Sequence, residues 1–210
     1  MKLTKYQHAC IVLEEQGQKL VIDPGSWTQL DNLAGIAAVV ITHIHIDHYN
    51  SENIAAIVAA NPGVQIFSTQ QVADALSDQA VAVAQPGQTV QAGPFTLAFY
   101  GGQHATVRPS IPIDQNVGVL VNNVVYYPGD SFVAPEVPVQ MLALPVSAPW
   151  LKLSEVADFL TAVKPHACFP THNALLSEIG QNIADMQLGN ICQEIGTTYL
   201  PLKPGESTEF

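Results

Sequence analysis

The chain has 210 residues, enough for one substantial core, and is 48% hydrophobic with only 12% charged residues, the profile of a folded globular protein rather than a disordered one. No run approaches the roughly eighteen uninterrupted apolar residues of a membrane span, and Met1 to His8 turns polar too early for a secretory signal peptide, so a cytoplasmic protein without membrane contacts is expected. The net charge of −11, from 18 acids against 7 bases, repels polyanions, and with no basic cluster anywhere it argues against nucleic acid as a partner.

In chain order, Ala9–Leu13 and Lys19–Ile22 are β-rich runs separated by Glu15-Gln16-Gly17-Gln18, a hairpin signal. Asp23-Pro24-Gly25 stops the second run. Ile36–Thr42 is continuously apolar, as in a strand covered on both faces, and it delivers the chain to His43. Asn50 or Ser51 can cap a helix that carries Ile54, Ile57 and Val58 on one face and ends at Asn61-Pro62-Gly63. Val64–Phe67 predicts a strand, Gln70–Leu76 a short helix, and Val81–Val83 and Phe95–Tyr100 two more strands. Asn116–Val121 and Val124–Tyr127, joined at Asn122-Asn123, predict a hairpin. Gln140–Leu144 is a further strand. Ser154 starts a helix with Val156, Phe159, Leu160 and Val163 at helical spacing, stopped by Pro165. A short strand at Ala167–Phe169, a final helix over 175–188 and a closing strand at Thr198–Leu202 complete the chain. Hairpins come first and alternating strands and helices follow, in each half. One layered α/β domain spanning 1–210 is the expectation.

Three cysteines without C-x-x-C spacing predict reduced thiols, Cys10 and Cys168 packed as small hydrophobes and Cys192 in a mixed segment. The chemistry concentrates elsewhere. His43-x-His45-x-Asp47-His48 places four potential ligands in six residues, just past a buried strand, where they can converge. Three imidazoles and a carboxylate suit zinc, manganese or iron. With seven histidines in the chain, three so close together are poorly explained by chance. One loop cannot complete a site, and later donors follow strand ends: His104 after Tyr100, Asp130 after Tyr127-Pro128-Gly129, and His172 after Phe169-Pro170-Thr171. Each alone would be an ordinary surface or capping residue. Together they occupy the edge where ligands of α/β sheets collect.

His-x-His-x-Asp-His followed by a distant His, Asp and His resembles the metallo-β-lactamase superfamily, over nearly the whole chain from Cys10 to Leu202. Within it, Ile22-Asp23-Pro24-Gly25 and Tyr127-Pro128-Gly129-Asp130-Ser131 are similar to the lactonase-like branch typified by ascorbate-6-phosphate lactonase. The resemblance implies a four-layer αβ/βα sandwich with the site along one edge. It assigns His43, His45 and His104 to one metal ion, Asp47, His48 and His172 to a second, and Asp130 to both, with Asp47 and Asp130 as the catalytic carboxylates. Two divalent cations, zinc first and manganese or iron as alternatives, would share a hydroxide made nucleophilic near neutral pH. They would also polarise the substrate oxygen. No G-x-S-x-G elbow suggests a serine nucleophile.

Asp23 and Thr42 are candidates to orient a ligand histidine, though Asp23 could equally be a turn residue. Arg108, the only arginine, can pair with an anionic substrate group, although a surface position is the commoner fate of arginine. His8, on an early strand edge, and His166 are read as structural; Trp150 could wall the pocket, with a packed aromatic as the preferred reading. The expected activity is hydrolysis of a small ester, lactone or phosphoester. The alternative is a metal-binding or sensor protein of the same fold. The expected partner is a small-molecule substrate, and the sequence is compatible with a homo-oligomer.

Overall fold

The computed structural model describes residues 1–210. In chain order the strands and helices are β1 (Lys2–Lys5), β2 (Ile11–Glu15), β3 (Gln18–Ile22), β4 (Ile36–Ile41), α1 (Ser51–Ala60), β5 (Gln65–Ser68), α2 (Gln70–Ala75), β6 (Val81–Val83), β7 (Thr89–Ala92), β8 (Phe95–Gly101), β9 (Val117–Val121), β10 (Val125–Tyr127), β11 (Met141–Pro145), α3 (Leu153–Val163), β12 (Ala167–Thr171), α4 (Glu178–Ile195), β13 (Thr198–Tyr199) and β14 (Ser207–Glu209). They form two seven-stranded sheets, ordered β14-β1-β2-β3-β4-β5-β6 and β13-β12-β11-β10-β9-β8-β7.

Both sheets are wired alike. Each opens with an antiparallel meander, β1-β2-β3 or β7-β8-β9-β10. Each then continues in parallel strands, β3-β4-β5-β6 or β10-β11-β12-β13. Alternation along the parallel strands builds the layers. In β4, Ala38 and Val40 face the central layer while Val39 and Ile41 face outward; in β11, Met141 and Ala143 face inward and Leu142 and Leu144 outward. The central layer between the sheets holds 22 buried residues, each large one contributing roughly 1.5–3 kcal/mol by leaving water. Ile54, Ile57 and Val72 of α1 and α2 cover the first sheet, and Val156, Phe159, Leu160, Leu188 and Cys192 of α3 and α4 cover the second. The result is the expected four-layer sandwich.

Local signals explain most boundaries. The Asn50 side chain accepts from the Asn53 amide and caps α1. At α3 the helix begins one residue earlier than Ser154, because Glu155 reaches back to the Lys152 amide at 2.9 Å. The last helix starts later and runs further than expected, Ser177 capping it and Gly196 ending it in the left-handed region. Residues 173–175 form a 3₁₀ turn instead. Three strands escaped the sequence pattern: β1, β7 and β14, short and largely polar. All three cysteines are free and buried, and Cys168 Sγ lies 3.5 Å from Cys192 Sγ. No helix is long and apolar enough to cross a membrane.

Candidate metal centre

β4 runs directly into the histidine loop, which coils so that the His48 and Tyr49 amides both donate to the His45 carbonyl. Coiling converts donors that would alternate along a strand into a converging set. The Pro24-Gly25 turn presses against this loop, and a Cβ on Gly25 would overlap the Asp47 carbonyl and the His48 amide nitrogen. Only glycine permits that approach. Behind the histidines lies Asp23, fully buried at the end of β3. Its Oδ1 accepts from the Thr42 amide at 2.7 Å, and its Oδ2 accepts from the Thr42 hydroxyl at 2.7 Å and from His48 Nδ1 at 2.5 Å.

The second sheet supplies its donors one at a time. His104 lies past β8, His172 at the end of β12, and Asp130 past β10. Gly129 has φ of 63°, and a Cβ there would overlap the Asn116 side-chain oxygen and crowd Thr42. The Asn116 side chain in turn accepts from the Asp130 amide and donates to the Pro128 carbonyl, both at 3.0 Å. That framework sets Asp130 between two groups of imidazoles. Its Oδ2 lies 3.2 Å from His104 Nε2 and 3.9 Å from His43 Nε2; its Oδ1 lies 2.8 Å from His172 Nε2 and 3.2 Å from His48 Nε2.

Hydrogen bonds at the outer nitrogens assign the tautomers. His48 Nδ1 donates to Asp23, His104 Nδ1 to the Ala105 carbonyl, and His172 Nδ1 faces the Thr171 hydroxyl at 3.1 Å. Thr42 gives its hydroxyl proton to Asp23 and so accepts from His43 Nδ1 at 3.1 Å. His45 is turned the other way: Nε2 meets Asp114 Oδ2 at 3.1 Å, and Nδ1 faces His43 Nε2 at 3.1 Å. In the neutral rings every inward nitrogen then carries a lone pair, yet His48 Nε2 and His172 Nε2 lie only 2.9 Å apart. The buried Asp130 Oδ1 makes no hydrogen bond. Lone pairs crowded this way repel one another, and a cation among them removes the conflict, so the donor set fits divalent metal. His43, His45, His104 and Asp130 form one group that can hold an ion, and His48, Asp130 and His172 another. Asp47 joins His172 in a third, overlapping group.

The side-chain electrostatics agree. Burial, reinforced by His48, pushes the His43 imidazole well below its usual range. Burial alone would raise Asp130 and Asp47, but His172 and His48 hold the first well down, and His8 and His48 hold the second down to about 2. His48 behaves differently. Burial lowers it, but Asp23 and Asp130 outweigh that and raise it well above the usual range.

Two residues of the centre, His8 and Asp114, escaped the sequence reading, and Trp150 takes a role there beyond the one expected. His8 is not on a strand edge but in a turn, with φ of 55°, and its Nε2 lies 3.0 Å from Asp47 Oδ2. Asp114, which holds His45, also accepts from the Gln71 side chain at 2.9 Å. Trp150 is packed against Phe132 as expected, but its Nε1 also donates to Asp130 Oδ2 at 2.6 Å. No local pattern announces these roles, since the partners lie 39, 69 and 20 residues away. His166 is exposed, and its amide donates to the Val139 carbonyl. A cavity of about 210 Å³ opens onto His45, Asp47, His104 and Asp130, walled by Trp27, Ala148, Pro149, Trp150 and Leu175. Arg108 is exposed and lies outside those walls.

Residues 2–172 match a family model described as a beta-lactamase superfamily domain. The chain is 32% identical to protein Rv0786c of Mycobacterium tuberculosis over 99% of its own length and 98% of that protein's. It is 24% identical to a UPF0173 metal-dependent hydrolase of Aeropyrum pernix, covering 100% of this chain and 97% of the relative. Among solved structures it is similar to Igni18, a metallo hydrolase from Ignicoccus hospitalis, with a TM-score of 0.75, 19% identity, and coverage of 100% and 98% of the two chains. At that identity the likeness shows the fold.

Proposed function

Because the chain belongs to the metallo-β-lactamase superfamily and is a metal-dependent hydrolase, we propose that it cleaves a small, uncharged carboxylic ester or lactone at a two-cation centre. The observation that carries this reading is the cavity beside Asp130, whose walls include two indoles and no lysine or arginine. A phosphoester would bring negative charge to walls that offer no basic partner. Apolar walls with a few convergent polar groups are the usual form of a small-molecule site.

In this reading His43, His45 and His104 would hold one cation, Asp47, His48 and His172 would hold the other, and Asp130 would serve both. When bound, a pair of such ions supplies an acidified water as nucleophile and a Lewis acid for the substrate oxygen. The remaining work falls to the protein's own groups. Asp23 and Thr42 keep His43 and His48 in the tautomer that points a lone pair inward, and Asp114 does the same for His45. Trp150 holds Asp130 Oδ2 from the cavity side. Trp27, Leu175 and Pro149 exclude water around the substrate's apolar part. The donor set favours zinc, with manganese and iron as alternatives.

Protein purified without chelator should contain about two cations per chain by elemental analysis. Its kcat/KM for neutral esters and lactones should exceed that for matched phosphodiesters at least about tenfold. A metal content near zero, with no uptake of added zinc, manganese or iron, would overturn the two-cation centre. Two bound cations with no turnover on either substrate panel would favour a metal-binding sensor instead.

A further inference from the structure

We propose that His8 is a positioning residue, one that holds Asp47 by donating its Nε2 proton to Asp47 Oδ2. The inference rests on the two-cation reading above and adds to it a residue outside the seven assigned ligands. His8 sits in the turn between β1 and β2, and its side chain is buried. Its backbone has φ of 55°, a conformation that costs a non-glycine residue roughly 1–2 kcal/mol. Several contacts hold it there. The Cys10 amide donates to the Gln7 carbonyl and the Tyr6 amide to the Cys10 carbonyl, closing the turn. The Tyr127 hydroxyl donates to the Ala9 carbonyl at 2.8 Å, tying the turn to the end of β10 just before Asp130. The His172 amide donates to the His8 carbonyl at 3.3 Å. The ring stands edge-on between Trp27 and His172, with centroids 4.5 and 4.6 Å away.

His8, Asp47 and His172 are close enough to share an ion, so the choice between ligand and hydrogen-bond donor must come from the other ring nitrogen. Each of the five inward-facing histidines has its outer nitrogen on an acceptor: Asp23, Thr42, Asp114, Ala105 or Thr171. His8 Nδ1 is buried and has no partner at all. If Nε2 bound a cation, the ring proton would sit on Nδ1 as a buried, unsatisfied donor, a defect of about 1–3 kcal/mol. With the proton on Nε2 it meets Asp47 Oδ2 at 3.0 Å, and only a lone pair is left unpartnered. Asp47 Oδ2 also faces His48 Nε2 at 3.6 Å. A carboxylate oxygen has two lone pairs: His8 occupies one and leaves the other for the cation held with His48.

The test uses two variants of the full chain. In His8→Asn the side chain tolerates the left-handed backbone but is too short to reach Asp47. In His8→Gln the amide nitrogen sits near the position of Nε2 and can still donate. Both are loaded with cobalt(II), whose visible absorption reports coordination, and titrated against a competing chelator. His8→Asn should bind one of its two cations about 10–100-fold more weakly and hold the other as the wild type does. His8→Gln should recover binding to within about threefold and keep the wild-type cobalt spectrum, which a role in folding alone would not predict. Loss of one cation in both variants, with an altered spectrum in His8→Gln, would make His8 a ligand and overturn the proposal. Wild-type affinity for both cations in His8→Asn would overturn it as well. Wild-type protein that binds no cobalt would instead remove the two-cation reading on which it rests.

Discussion

The two sheets share one wiring and put a carboxylate at the same place in it, yet the two carboxylates do opposite things. Asp23 follows β3, the last strand of the first meander, and Asp130 follows β10, the last strand of the second. Asp23 accepts three hydrogen bonds from Thr42 and His48, and lies behind the histidine loop. Asp130 Oδ1 accepts none and faces two imidazole nitrogens. A buried carboxylate whose lone pairs are filled by protein donors orients its neighbours; one whose lone pair is left open in a crowd of other lone pairs is a place for a cation. The difference lies in the turns. After β3 the acid comes first in Asp-Pro-Gly and folds back under the loop, whereas after β10 it comes last in Pro-Gly-Asp and is carried forward into the centre.

Asp130→Ala should have the largest effect. Activity should fall by about 10³-fold or more, some 4 kcal/mol of barrier, and both cations should bind more weakly, because both groups lose a donor. The fold should persist, although the Trp150 indole proton loses its acceptor, so metal-free protein should lose about 1–3 kcal/mol of stability in thermal unfolding. Full turnover in this variant would refute the bridging role. Asp23→Ala should divide its effect differently. It strands the Thr42 hydroxyl and amide and His48 Nδ1 in a site with no water access, which should cost about 3–5 kcal/mol of stability. Cation affinity should drop roughly 10–100-fold in chelator competition. If Asp23→Ala kept wild-type affinity and lost only stability, Asp23 would be a structural turn residue, and the contrast with Asp130 would be sharper still.

The same contrast marks what was legible in the sequence. The apolar run of β4 ending in four donors is a local pattern, and so are the Asn50 cap, the Asn122-Asn123 hairpin and the spacing of Val156, Phe159 and Leu160 in α3. A layered α/β domain follows from such runs, while the four-layer sandwich was implied by the resemblance that the ligand motifs carry. His104, Asp130 and His172 were visible because each follows a strand. His8 and Asp114 were not, because their partners are brought near only by the folded chain: for His8, Asp47 in the loop after β4 of the same sheet, and for Asp114, His45 from the opposite sheet. His8 looked like strand, and the turn that actually holds it is closed by backbone bonds and by Tyr127 from the opposite sheet. The edge strands β1, β7 and β14 were missed for a related reason. Their residues are largely polar, and their pairing comes from neighbours rather than from their own pattern.

Trp150→Phe probes the open side of Asp130 with a smaller change. Phenylalanine keeps the contact with Phe132 but removes the indole proton from Asp130 Oδ2. The expected result is a fall in kcat of about tenfold, near 1.4 kcal/mol, with both cations retained. A change in KM alone would make Trp150 a wall of the cavity and nothing more.

Arg108→Ala should have the smallest effect. The only arginine of an acidic chain invites a role in binding an anionic substrate, but here it is exposed, makes no ion pair and stands outside the cavity walls. Kinetic constants for neutral and anionic esters should therefore stay within about twofold of wild type. The informative exception would be a KM that rises for anionic esters only. Arg108 shares its loop with Val107, Ile111 and Ile113, all exposed, and the loop is anchored at both ends near the centre, by the Ala105 amide on the Asp130 carbonyl and the His104 amide on the Asp114 carbonyl. A selective KM effect would mean that this loop folds over the cavity when substrate binds, bringing charge to walls that have none. The uncharged-substrate reading would then fail, while the roles of Asp23 and Asp130 would stand.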